Sequence, residues 1–231
     1  LPNGSCVAAS DIDGDGWCDL FCAGLGGGSR LYRNRGHWQF EDVTEAAHVD
    51  GGDAWGTGCA IVDVDGDGLL DIYVCNLESP NLLYRNLGGM RFEECARRFG
   101  LGFVGASFFA AFADYDNDGD LDLYLVTNRV FLQSLLPELL MRVKLPSTMQ
   151  ASMRELAPPM PTLVPGADGK GLKVPPGYED HLIEFGGHLF FGGQADRLFR
   201  NDGERFTDVT RAAGIRDVST VLVALAVGTV L

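Results

Sequence analysis

Apolar residues gather along this chain in short dense runs. "GTGCAIV" leads up to Asp63 and "DIYVCN" departs from Asp71, "SFFAAFA" leads up to Asp114 and "DLYLVT" departs from Asp122, and "DLFCAG" departs from Asp19. Runs of this length, rich in β-branched and aromatic residues, predict buried strands. The polar stretches that separate them are acidic and hold glycine: "DIDGDGWCD" from Asp11, "DVDGDGLLD" from Asp63 and "DYDNDGDLD" from Asp114. The pattern therefore predicts a strand, an acidic turn and a second strand, three times over.

The starts of these stretches lie 52 and 51 residues apart. Other features keep the same period: "LYRN" ends at Asn34 and again at Asn86, and "FEDVT" at Phe40 returns as "FEECA" at Phe92. A fixed period of this size is the mark of a solenoid, propeller or array, and about 51 residues hold four short strands. The second half of the third repeat reappears late, as "RLFRNDGERFTDVTRAAGI" from Arg197. An insertion of about 64 residues, from about 131 to 196, accounts for the delay. Eight of the ten prolines and all three lysines fall inside it, which predicts an irregular surface excursion.

Four carboxylates within nine residues repel one another unless something compensates them. A hard divalent cation such as calcium takes six to eight oxygen ligands, which alternate side chains of a tight turn supply. By position in the second loop, Asp63, Asp65, Asp67 and Asp71 ligate through carboxylates and Leu69 through its backbone carbonyl, with Gly68 at the sharp turn. An EF-hand is excluded, because its twelfth position needs a bidentate glutamate and the three copies carry Cys22, Val74 and Leu125 there. The loop is instead a metal-tied connection between strands.

An apolar strand, D-x-D-x-D-G-x-x-D, a second apolar strand and then "LYRN", "DVT" and "AGI" resemble the FG-GAP or VCBS repeats of integrin-α-like β-propellers, the cartilage acidic protein-like group in particular. The resemblance covers about residues 5 to 130 and 196 to 216. It implies an all-β fold, a partial β-propeller of about three four-stranded blades, with calcium in the loop between the first two strands of each blade. Its ligands would be Asp11, Asp13, Asp15, the Trp17 carbonyl and Asp19; then Asp63, Asp65, Asp67, the Leu69 carbonyl and Asp71; then Asp114, Asp116, Asp118, the Asp120 carbonyl and Asp122, for about three ions. It also implies secretion or surface display. Two departures stand out: the "GAP" tripeptide is absent, and Asn117 replaces the glycine at the fourth loop position.

Charge agrees with an acidic extracellular module. The net charge is −14, and thirteen of the 32 acidic residues sit in the three loops. Such a surface argues against nucleic acid or an anionic membrane and suits a protein, matrix or glycan partner. Without the insertion about 167 residues remain, a little over three blades. Closed propellers have four to eight, so further blades of a larger propeller are expected. The repeats read as about 5–50, 57–101, and 105–130 plus 196–216 of a propeller region 1–217, followed by an apolar tail at 218–231. That tail is too short to span a bilayer and reads as a buried or edge strand.

Three near-identical sites do the same job three times, whereas catalysis needs one site with differently tuned groups. The reading is a non-catalytic, calcium-binding interaction or adhesion scaffold; the alternative is an accessory propeller domain of a larger secreted enzyme, a hydrolase or lyase. Among the six cysteines, Cys59 and Cys75 are a disulfide candidate, with small core residues the favoured reading. His181 and His188 read as a strand-turn-strand, and "GLGGGSR" from Gly24 as an inter-strand loop. Trp55 reads as packing between blades, and Asn3 heads a lone glycosylation sequon.

Overall fold

A computed structural model describes residues 6–127 and 196–215 continuously, together with 164–165, 172–173, 182–185 and 188–191. Its strands form three consecutive four-stranded antiparallel blades. The first comprises β1 (Val7–Ser10), β2 (Asp19–Cys22), β3 (Arg30–Asn34) and β4 (Phe40–Asp42). The second comprises β5 (Trp55–Val62), β6 (Asp71–Pro80), β7 (Leu82–Asn86) and β8 (Phe92–Glu94). The third takes β9 (Val104–Ala113) and β10 (Asp122–Thr127), and after the insertion β15 (Arg197–Asn201) and β16 (Phe206–Asp208). This is the architecture of a partial β-propeller. Strands follow the acidic loops at Asp19, Asp71 and Asp122, where an EF-hand would have helices.

The second strand of a blade is buried on both faces because a blade lies on either side of it. Along β6, Ile72 and Val74 enter one apolar cluster, with Phe21, Leu31 and Val49 of the first repeat. Tyr73 and Cys75 point the other way, into a cluster with Leu123, Leu125 and Phe199 of the third. Alternation with period two thus feeds two separate cores, which is why the strand reads as continuously apolar. Backbone pairing also crosses the seams. The far end of β6 pairs with β9 at Leu77↔Ala106 and Pro80↔Val104, and one period earlier Leu25 bridges Trp55. Trp55 is therefore an inter-blade residue.

The same pairing corrects the cysteine candidate. Cys59 faces Val74, one residue away from the register that symmetry about the loop predicts, so Cys59 and Cys75 project from opposite faces into different cores. Both are buried free thiols, and no bond joins them.

Recurring polar residues finish each blade. Ser29, Asn81 and Asp196, each just before the third strand, accept the N–H of Gly24 (3.3 Å), Asn76 (2.8 Å) and Thr127 (2.8 Å) respectively. In the "DVT" segment Asp42 accepts from the Thr44 backbone (3.0 Å), while the Thr44 hydroxyl accepts the Leu31 N–H (2.8 Å). Asp208 and Thr210 repeat this, and in the second blade Glu94 performs both roles. Two one-turn helices, α1 (Thr44–Ala47) and α2 (Ala96–Phe99), follow these caps and were not foreseen.

The chain divides into two compact units, 1–128 with 196–216, and 129–195 with 217–231. In the second unit, β11 (Val164–Pro165) pairs with β12 (Leu172–Lys173), and β13 (Leu182–Phe185) with β14 (His188–Phe191). The insertion is therefore not wholly irregular, and His188 opens the second strand of a hairpin. Asn3, His181 and the apolar tail lie outside the described residues. Among those residues, no helix is long and apolar enough to cross a membrane.

Candidate metal centres

Each acidic loop is wound by its own side chains. The first aspartate accepts backbone N–H groups four and five residues ahead. Asp11 takes those of Asp15 (3.0 Å) and Gly16 (2.9 Å), Asp63 those of Asp67 (3.2 Å) and Gly68 (2.9 Å), and Asp114 those of Asp118 and Gly119 (both 3.1 Å). The fifth-place carboxylate accepts the N–H of the seventh residue, pairing Asp15 with Trp17, Asp67 with Leu69 and Asp118 with Asp120. This winding needs left-handed backbone at the fourth place. Gly14 (φ 74°) and Gly66 (φ 71°) supply it, and Asn117 (φ 63°) matches them, because asparagine tolerates that region better than other side chains. The departure from the repeat pattern thus leaves the loop's path unchanged.

The ninth-place aspartates are buried: Asp19 and Asp71 are 0% exposed and Asp122 is 2%. In each, one carboxylate oxygen accepts the N–H of the second loop residue, Ile12, Val64 or Tyr115, at 2.9–3.0 Å. The other accepts the N–H of the last residue of the third strand, Asn34, Asn86 or Asn201, at 2.7–2.8 Å. Burial pushes the Asp71 carboxyl up to about 6 against these hydrogen bonds, and raises Asp19 for the same reason.

The asparagines of "LYRN" and "LFRN" complete the site. Their amides donate to the carbonyls of Cys18 (2.9 Å), Leu70 (3.0 Å) and Leu121 (3.2 Å), the residues before the ninth-place aspartates. Asn86 and Asn201 also reach back to the preceding blade's loop, donating to Ile12 (3.3 Å) and Val64 (3.1 Å). Sequence reasoning used these asparagines only to mark the period. Their fixed distance from each acidic loop was the signal that could have found them.

The structure brings carboxylate oxygens of Asp11, Asp13 and Asp15 within 4.8 Å of one another, likewise those of Asp63, Asp65 and Asp71, and those of Asp114, Asp116 and Asp122. Asp19, Asp67 and Asp118 fall outside these groupings. Trp17, Leu69 and Asp120, expected as carbonyl ligands, enter the loops' hydrogen bonding as N–H donors.

Arginines meet part of the negative charge, a role the sequence reading did not assign. Arg33 contacts Asp13 (2.5 Å) and Asp15 (3.2 Å), and Arg85 contacts Asp65 and Asp67. At the corresponding place in the third repeat, Arg200 pairs with Asp202 at 2.8 Å instead. The third loop, with five aspartates, thus has no arginine salt bridge among the described residues, although Arg200 lies near enough to be raised by Asp116 and Asp118; Asp116 is raised by desolvation and by Asp118, Asp122 and Asp114.

The FG-GAP-like repeat profile matches residues 11–74 and 63–125, two overlapping copies in register with the three acidic loops and the strands between them. Residues 11–125 are FG-GAP-like repeats. Cartilage acidic protein 1 of Homo sapiens is 33% identical over 110 residues, 46% of this chain and 16% of that protein. The Mus musculus protein of the same name is also 33% identical over 110 residues, and the Xenopus tropicalis one is 30% identical over 122, 51% of this chain and 18% of the relative. The matched region therefore spans less than a fifth of these relatives' length. Within these FG-GAP-like repeats, the molecule has acidic clusters that could hold metal ions at the point where each blade turns from its first strand to its second.

Proposed function

We propose that this chain is a non-catalytic, calcium-tied β-propeller module that serves as an extracellular protein-interaction or adhesion scaffold. The observation that carries the reading is threefold repetition: at one period, three loops each bring three carboxylates together at the same turn of the blade, the first- and third-place aspartates in every copy. A single reaction centre would need dissimilar, separately tuned groups.

The donor set fits the ion. All side-chain donors in the clusters are carboxylate oxygens, the ligand type of a hard cation. In the first loop Asp13 Oδ2 is buried and has no hydrogen-bond donor, although Arg33 lies beside it. Asp11, Asp13 and Asp15, Asp63, Asp65 and Asp71, and Asp114, Asp116 and Asp122 would hold the ions, with Asp19, Asp67 and Asp118 and the carbonyls of Trp17, Leu69 and Asp120 as further ligands. Bound calcium supplies positive charge that relieves carboxylate repulsion. The chain's part is to pre-wind the loop, through its first aspartate and the left-handed fourth residue, and to lock it to the third strand. The partner would be a protein, matrix component or glycan, and further blades would extend the propeller. Residues 131–196 would be an excursion from the third blade.

The test is a thermal melt in about 2 mM calcium against excess chelator, with bound calcium counted. A higher melting temperature in calcium with about three ions per chain is expected. Asp65→Ala and Asp116→Ala should each remove one ion and shrink the gap between the two conditions. An unchanged gap would count against a structural ion.

A further inference from the structure

Strand pairing sorts the cysteines of the first two blades by face. Val7 lies opposite Cys22, while the Ala23 N–H donates to the Cys6 carbonyl at 2.8 Å, so Cys6 and Ala23 share a face and Cys22 lies on the other. Ala23 belongs to the apolar cluster between the first and second blades, and Cys6 packs against it. Cys59 and Val74, opposite each other across β5 and β6, belong to that same cluster, whereas Cys75 belongs to the next. Cys6 and Cys59 therefore approach one another from two different blades. The Cys6 thiol donates to the Cys59 backbone carbonyl at 3.6 Å, and the Cys59 thiol reaches back across the seam to the Phe21 carbonyl of the first blade at 4.0 Å.

We propose that Cys6 and Cys59 form a disulfide that staples the first blade to the second. Access divides the roles: Cys6 is half-buried, whereas Cys59 is buried at 8% exposed. The Cys6 thiolate attacks a small-molecule disulfide, forming a mixed disulfide and releasing one thiolate. Cys59 gives its proton to solvent and attacks the Cys6 sulfur, which closes the protein bond and releases the second thiolate. The two protein thiols lose two protons and two electrons, and the oxidant disulfide becomes two thiols. Interaction with Cys59 lowers the Cys6 thiol and raises that of Cys59, which favours Cys6 as the attacking thiolate. The bond links residues 53 apart and encloses the whole first blade with its acidic loop, a constraint on the unfolded chain that this distance in sequence makes large. It is independent of the metal reading, and the experiment is run with and without chelator to keep the two apart.

The full chain is incubated with oxidised glutathione, quenched with acid, and analysed by intact mass and peptide mapping. Expected are a loss of about 2 Da, two hydrogens, and a cross-linked peptide that joins Cys6 to Cys59. Alkylatable thiols in the unfolded protein should fall by two from the six present in the sequence. The melting temperature should rise by several degrees, revert with dithiothreitol, and show no such rise in Cys6→Ser or Cys59→Ser. Should the buried Cys59→Ser variant not fold, the half-buried Cys6→Ser carries the control. A lasting glutathione adduct on Cys6 with Cys59 free, a Cys6 to Cys22 cross-link, or six unchanged thiols would each overturn the assignment.

Discussion

Asn86 and Asn34 occupy the same place in successive repeats but differ in reach, and that difference is measurable. Both amides hold their own loop, whereas Asn86 also donates to the Ile12 carbonyl of the preceding blade. Asn86→Ala leaves two carbonyls short of a donor and should cost about 2–3 kcal/mol in a urea titration. Asn34→Ala leaves only the exposed Cys18 carbonyl short of a donor and should cost about 1 kcal/mol less, since the Gly36 N–H contact it loses has its match in Asn86 and Gly88. A second consequence concerns Asp71. Its folded carboxyl titrates at about 6, above the ordinary 3.8, so the native state holds the proton more tightly than the unfolded chain does. In chelator, its contribution to stability is therefore fully present below about pH 4 and falls as pH rises to about 6, by on the order of 2–3 kcal/mol. Calcium, which favours the carboxylate, should flatten that slope. Melts from pH 4 to 7 in each condition test it.

At the scale of the element, the loops differ in how their charge is met. The second loop has Arg85 in salt bridges to Asp65 and Asp67, whereas in the third Arg200 bridges to Asp202 and acts on Asp116 and Asp118 only from a distance. Arg85→Ala should lower the melting temperature more in chelator than in calcium, since the ion can replace the guanidinium's charge but the chelated loop has nothing in its place. The third loop, whose aspartates are not drawn into an arginine salt bridge among the described residues, should release calcium last as free calcium is lowered, and Asp116→Ala should remove that tightest site. Calcium titration of the two variants separates these outcomes. The strands that flank the loops were legible because their apolar runs are short and bounded by acidic turns. The one-turn helices were not, since "TEAA" and "ARRF" are too short to show a period and are held by Asp42 and Glu94, which accept their first N–H groups.

For the whole molecule, one blade's second strand supports two cores, so injury at a single position should spread. Ile72 is fully buried in the first seam, and Ile72→Ala should cost about 2–5 kcal/mol while keeping one cooperative transition for the three blades. Two separated transitions would mean that the blades melt independently. The repeat made the blade count and the loop positions legible: Asp11, Asp63 and Asp114 keep register whatever the fold around them. What it left out were relations between repeats. Symmetry about the loop set Cys59 against Cys75, whereas the actual pairing slips by one residue because Asp71 already belongs to the strand, opposite Val62. Likewise nothing local to "LYRN" says that its asparagine serves the blade before it.

That backward reach has a consequence for synthesis. A ribosome delivers each loop before the asparagine that secures its carbonyl. Ile12 waits for Asn86, 74 residues later, and Val64 waits for Asn201, 137 residues later, because the insertion intervenes. At about 5–20 residues per second, the second loop stays unlatched for roughly 7–27 s after it is made, against roughly 4–15 s for the first. The insertion thus acts as a built-in delay during which the emerging second blade lacks its last tie.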